Sequence, residues 1–294
     1  MTRSPRFSCR MSGLFPLVCG MVILLVSSAS AFAQQRPLVT EDPETIGAGR
    51  VLVEAGFDVE RDVFYPVSGL SGNRLSVPTF GVSIGLSSIA EVQIDGGLYQ
   101  RLSITDRQVA PLSNLLDFTG DETSDVEDFV LATKIRLMTE SGSRPALGLR
   151  VATKLPNVSN ESGLGHDLTD FFSSLLVAKT VQSIRVVGNG GIAILGDPTS
   201  RVPEQNDLVT YGLSVARAMT TSAELVGEVN GRFNPADGES DPGAESRAAV
   251  RLGGRYTRGP MRVDAGVILG LTSRDPQVGF TAGFTWVFNA FTVP

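Results

Sequence analysis

The stretch Arg247-Ala248-Ala249-Val250-Arg251-Leu252-Gly253-Gly254-Arg255-Tyr256 reads with a period of two, and so does its successor over 261–271. In the first, Ala248, Val250, Leu252 and Tyr256 oppose Arg247, Arg251 and Arg255. In the second, Val263, Ala265, Val267, Leu269 and Leu271 oppose Arg262 and Asp264. Alternation of this kind predicts two strands, each with one apolar and one wet side. Only 257–260 separates them.

The same alternation recurs outward along the chain. It predicts strands over 51–60, 91–102, 128–139, 146–155, 184–195, 223–232 and 278–288. Segments 74–86, 170–180 and 208–217 read less cleanly. The phase of 74–86 slips at Pro78-Thr79, where a bulge or edge distortion is expected. The total is about twelve strands, long enough to cross a bilayer when tilted. Phe57, Phe80, Tyr99, Phe129, Tyr211, Tyr256, Trp286 and Phe288 fall mostly near predicted strand ends, as interfacial girdles do.

The links alternate in length. Those over 61–73, 103–125, 156–169, 197–206 and 233–244 are long and polar. Those over 87–90, 140–145, 181–183, 218–222 and 257–260 are short, and 272–277 is intermediate. Long external loops and short periplasmic turns characterise an all-β, transmembrane antiparallel β-barrel of the bacterial outer membrane. An arginine near the midplane of the lipid face costs about 2–4 kcal/mol. The charged phase is therefore assigned to the lumen, with Glu91, Asp95, Lys134, Arg136, Arg150, Lys154, Glu224, Glu228, Arg247, Arg251, Arg255, Arg262 and Asp264 as lining candidates. A secreted or periplasmic lipid-binding barrel would invert this phase. Strand length, loop asymmetry and the terminal aromatics Trp286 and Phe288 argue against it.

The beginning of the chain fits export. Arg3, Arg6 and Arg10 precede the apolar run Leu14–Val26, and Ala31-Phe32-Ala33 forms a small-x-small cleavage site. Residues 1–33 read as a secretory signal peptide. Residues 34–48 are expected to be a short periplasmic segment, too short for a plug domain, and 49–294 the barrel. Cleavage would remove Cys9 and Cys19, leaving no disulfide, thiolate metal site or cysteine nucleophile. The full chain has 294 residues and a formal charge of −6. Loss of three arginines makes the remainder more acidic, which disfavours nucleic acid as a partner. No later stretch has 18 consecutive apolar residues, so no helical span is expected.

Several short pieces carry a resemblance. Arg36-Pro37-Leu38-Val39-Thr40-Glu41-Asp42, with Thr45 and Gly47-Ala48-Gly49-Arg50, resembles the opening of the meta-pathway phenol degradation family of outer-membrane proteins. Asp128 with Lys134 and Arg136 does too, as do Leu155-Pro156 and Gly163-Leu164-Gly165-His166-Asp167, ending in Thr169-Asp170-Phe171. Two features depart from the pattern: Val126-Glu127-Asp128, where Gly is more usual two residues before the Asp, and the tail after Phe288. The resemblance implies a barrel related to transporters of hydrophobic compounds, including fatty acids and aromatic hydrocarbons. Gly283, Trp286 and Phe288 also resemble the terminal signal read by the barrel-assembly machinery.

Chemistry-bearing motifs are sparse. His166 is the only histidine, and a Ser-His-acid site would have to join it to a serine such as Ser162. The alternative is an ordinary loop histidine, and no enzyme is expected. Asp117, Asp121, Glu122 and Asp125, like Asp237, Glu239 and Asp241, are oxygen-rich loops suited to Ca²⁺ or to bridging lipopolysaccharide; solvated acidic loops are the favoured reading. No metal and no cofactor is expected. The function expected is a passive channel or transporter for a small hydrophobic or aromatic solute. The alternative is a structural or surface-interaction barrel. Expected partners are outer-membrane lipid, lipopolysaccharide, the unidentified solute and, during biogenesis, the assembly machinery.

Overall fold

The computed structural model describes residues 36–199, 204–238 and 240–292. The signal peptide assigned to 1–33 and the loop residue Glu239 lie outside the described residues. The strands are β1 (Arg50–Tyr65), β2 (Leu70–Gly85), β3 (Ala90–Gly97), β4 (Gln100–Arg107), β5 (Glu122–Asp125), β6 (Val130–Met138) and β7 (Ala146–Lys154). They continue as β8 (Asp170–Val181), β9 (Ile184–Gly196), β10 (Gln205–Ala218), β11 (Ala223–Phe233), β12 (Arg247–Arg258), β13 (Met261–Gly270) and β14 (Val278–Asn289).

All pairings are antiparallel, and β1 pairs with both β2 and β14, which closes the sheet. Two of the staves are broken in the middle. Strand β2 pairs with β3 and β4 in turn, while β6 pairs with β3 and β5 with β4. The segments therefore make a closed barrel of twelve staves.

The break has its origin in Pro78, which has no N–H to donate to the ladder. The register of β1 against β2 jumps from Gly56↔Thr79 to Asp58↔Ser76. Across the other edge Val77 N donates to Tyr99 O (2.8 Å) and Leu98 N to Pro78 O (3.1 Å), bridging the gap between β3 and β4. A second register shift, between Glu60 and Val63, includes Asp62 at φ 55°. These bulges explain one correction. The stretch 61–73 is not a long loop, because β1 and β2 run on to a link of only 66–69. Each shift flips the side-chain phase, so strict alternation could not follow the strands through it.

The phases sort as the energetics require. Leu225, Leu252, Val263, Phe280 and Phe284 are exposed on the outer face of the closed sheet, with many other large apolar side chains. Such a continuous apolar belt suits lipid rather than water. Trp286 and Phe288 stack with centroids 4.7 Å apart at the short-turn end, near Tyr256 and Met261. Phe57 and Tyr211, by contrast, sit in the middle of β1 and β10 and belong to no girdle.

At the long-loop end, Leu70, Leu102, Val158 and Leu164 form a buried cluster with Tyr65, Ile104, Leu116 and Phe118 packed against it. The loop after β7 is folded over this end by Ser68 Oγ donating to Gly163 O (2.7 Å) and Thr123 Oγ1 donating to Ser162 O (2.8 Å).

The second correction concerns the segment 34–48. From Arg36 onward it does not lie in the periplasm; it runs inside the barrel. Leu38, Thr40, Glu41, Asp42, Pro43 and Ile46 are all buried against inward-facing side chains. The segment is too short to fold on its own. It is long enough to cross a lumen that supplies its hydrogen bonds.

Candidate functional site: the charged lumen

The lumen is organised around the segment 36–48. Near the short-turn end, Glu44 pairs with Arg136 (2.5 Å) and Asp42 forms a fork with Arg185 Nε and Nη2 (2.5 and 2.7 Å). One step deeper, Lys134 lies fully buried between Glu41 (3.1 Å) and Glu91 (3.0 Å). Glu91 also accepts from Ile46 N (2.7 Å) and Gln93 Nε2 (2.9 Å). Arg150 holds Glu41 from the other side (3.0 Å) and reaches Gln93 and Asp95 (2.8 and 3.4 Å). Burial works to raise the Glu41 pKa, but Lys134 and Arg150 overcome it and hold the carboxyl below the usual carboxylate range. In the amide orientation its neighbours require, Asn189 brackets the Glu41 backbone, accepting from its N–H (2.7 Å) and donating to its carbonyl (2.8 Å).

Across the lumen, Glu228 on β11 accepts from Val39 N (2.9 Å) and Thr40 N (2.8 Å) and faces Arg251 (3.5 Å). Arg36 lies at mid-barrel, donating to Thr79 Oγ1 (3.0 Å) and Thr281 Oγ1 (2.8 Å), with Asp264 3.6 Å and Asp58 3.8 Å away. Arg255 Nε donates to Arg36 O (2.7 Å).

Glycines on the inner wall form seats for this segment. A Cβ on Gly56 or on its register partner Gly283 would stand 2.3 or 2.5 Å from the Arg36 guanidinium group. A Cβ on Gly253 or its partner Gly266 would stand 2.8 or 3.2 Å from Pro37. Gly212 gives the same clearance to Thr40, and Gly148 to Pro43. The absence of a side chain at these positions leaves room for the Arg36, Pro37, Thr40 and Pro43 side chains.

The thirteen lining candidates all fall on the inward phase. Glu91, Asp95, Lys134, Arg136 and Arg150 surround the segment. Glu224, Glu228, Arg251, Arg255, Arg262 and Asp264 form the β11–β13 wall, where Glu224 faces Arg255 (4.0 Å) and Arg262 (3.9 Å). Lys154 lies nearer the long loops, between Asp128 (3.2 Å) and Asp170 (2.7 Å). Arg247 sits at the outer end of β12. Reading charges strand by strand missed Arg36, Glu41, Asp42 and Glu44, because their segment has no strand phase. The signal available was their match to lumenal charges of opposite sign.

A cavity of about 490 Å³ remains beside the segment. Leu38, Val39, Val130 and Phe172 give it apolar surface, and Glu54, Asp58, Asp95, Glu127, Asp128 and Arg150 give it charge.

His166 and Ser162 do not form a catalytic pair among the described residues. Ser162 Oγ donates to Ser159 O (2.8 Å), closing a loop turn. Burial, then the Lys154 ammonium, hold the imidazole below its usual pKa. Among the described residues, no group of acidic or histidine side chains is arranged to hold a metal.

No family model matches the sequence, and no curated protein matches it. Solved structures do. The COG4313 outer membrane channel from Pseudomonas putida F1 is similar over 84% of this chain and 98% of its own, with TM-score 0.59 at 15% identity. The NanC porin is similar over 83% of this chain and 100% of its own (TM-score 0.47, 9% identity). The TodX monoaromatic hydrocarbon channel is similar over 86% and 93% (TM-score 0.36, 9% identity). At this identity the first of these likenesses shows the fold, that of an outer-membrane β-barrel.

Proposed function

We propose that this protein is a passive outer-membrane channel for a small hydrophobic or aromatic solute, related to the meta-pathway phenol degradation family. The observation that carries the reading is the cavity beside segment 36–48, where Leu38, Val39, Val130 and Phe172 meet charged groups inside a closed barrel. A lumen built only for mechanical stability has no reason to keep such a space. The lining suits a molecule with an apolar body and a polar end. The solute moves down its own gradient, and lumenal charges tune which solutes enter. The segment acts as the constriction, because its bonds reach β3, β6, β7, β9, β11 and β14.

The test is single-channel conductance of the folded protein in planar bilayers, comparing wild type, Arg251→Ala and a variant lacking 36–46. Discrete steps that enlarge on deletion, with ion selectivity shifted by Arg251→Ala, support the channel. Silence from all three, each a heat-modifiable folded barrel, would overturn it in favour of a structural or surface-interaction barrel.

A further inference from the structure

Three residue pairs lie opposite one another on the inner face of β11 and β12. The register sets Glu224 against Arg255, Glu228 against Arg251 and Arg232 against Arg247. The first two are complementary. The third places two guanidinium groups across from each other, an arrangement that destabilises a sheet unless an anion intervenes. It lies at the long-loop end of the lumen, before the loop 234–246.

The carboxylates around the pair sit on the Arg232 side and none pairs with Arg247 among the described residues. Arg232 is pinned by two backbone acceptors, its Nε donating to Glu245 O (3.0 Å) and its Nη2 to Gly243 O (2.6 Å). Among the described residues, Glu245 is the one carboxylate paired with it, at 4.0 Å. Arg247 has no hydrogen-bond or ion-pair partner among the described residues, and its Nε is buried without one. Asp170 and Asp275 act on Arg232 only through space, Asp170 being itself held by Lys154 at 2.7 Å, and neither pairs with Arg247. Guanidinium groups on two register-paired residues, one of them without a partner among the described residues, offer N–H donors of the kind a planar carboxylate accepts.

We infer that Arg232 and Arg247 form a carboxylate-binding site at the outer entrance of the lumen, where the acid group of an entering organic monoacid is captured. The inference rests on the channel reading and deepens it: the solute with an apolar body and a polar end is an organic carboxylate. From this site the next inward cation on β12 is Arg251, itself engaged by Glu228. The acid is therefore held most strongly at the mouth and released inward.

The test uses the full barrel in detergent, with 4-fluorobenzoate as probe and fluorine NMR as readout, so that binding is measured apart from conduction. Saturable binding is expected in wild type. Arg247→Gln should weaken it at least tenfold and Arg247→Lys less than that. Glu245→Gln should tighten it several-fold by removing the competing carboxylate. Neutral benzyl alcohol should not displace the probe. Wild-type binding that is absent, or that Arg247→Gln leaves unchanged in a heat-modifiable barrel, overturns the site. Displacement by inorganic phosphate at lower concentration than by benzoate overturns the carboxylate assignment. A silent bilayer with intact, Arg247-dependent binding sinks the channel and keeps the site; conduction without binding does the reverse.

Discussion

Substituting Lys134 by methionine keeps the side-chain stem and deletes the ammonium that joins segment 36–48 to the barrel wall. Lys134 is wholly buried, with Glu41 at 3.1 Å and Glu91 at 3.0 Å. Removing one member of a buried ionic group costs about 3–5 kcal/mol, because a desolvated charge is left behind. Here the lower end applies. Arg150 still stands 3.0 Å from Glu41, while the Ile46 N–H and Gln93 still serve Glu91. The penalty exists only while the segment is docked, since on release water enters and solvates both carboxylates. A cost of about 3 kcal/mol therefore falls on the docked state and shifts the docked-to-released ratio by roughly a hundredfold. Hydrogen exchange of the peptide 36–48, followed by mass spectrometry, reads this as lost protection at Val39, Thr40 and Ile46, whose amides now donate to Glu228 and Glu91. Single-channel steps should enlarge in parallel. Acid should imitate the substitution in wild type. The Glu41 pKa is lowered in the docked state, so its contribution is full above the ordinary carboxylate pKa and fades as pH falls through the depressed value. Protection should thus persist at about pH 5 and fail well below about pH 4. Unchanged exchange in Lys134→Met at neutral pH would refute the view that charge holds the segment.

Gly266→Val places a branched side chain where Pro37 now sits, since even a Cβ there stands 3.2 Å from it; release of the segment without loss of any charge is expected, read by the same exchange experiment. Val263→Arg puts a cation on the apolar outer face, where Val263 is 53% exposed, and should destabilise the barrel by about 2–4 kcal/mol, measured as a lowered heat-modification midpoint. Glu140, in the turn between β6 and β7, is raised by burial, but bonds from the Thr180 N–H and hydroxyl and from Lys179 together outweigh it and hold its pKa at about 2. Its stabilisation is present above the ordinary carboxylate pKa and lost as pH falls through about 2, so the midpoint of wild type but not of Glu140→Gln should drop over that window.

How far the sequence carries depends on whether a feature repeats. Strands β7, β9 and β11 to β14, and β6 as far as Arg136, alternate over most of their length, and lipid outside with water inside allows one phase only, so their charged residues could be assigned inward without coordinates. The same reasoning fails at Pro78 and Asp62, where a single displaced residue reverses the phase; the facing ends of β1 and β2 and the link 66–69 there read as a long loop. It fails more completely for segment 36–48, whose placement is not periodic at all. Its position follows from pairwise matches: Glu41 to Lys134, Asp42 to Arg185, Glu44 to Arg136, and glycines 56, 253, 266 and 283 set opposite Arg36 and Pro37. Each match joins residues far apart in the chain, and none is visible from either side alone. Taken strand by strand, the inward glycines read as close barrel packing and the inward charges as solvated walls. Seated together they form a socket. The lumen's charges are thus divided between those that grip the segment and those, such as Arg232 and Arg247, that stand apart from it.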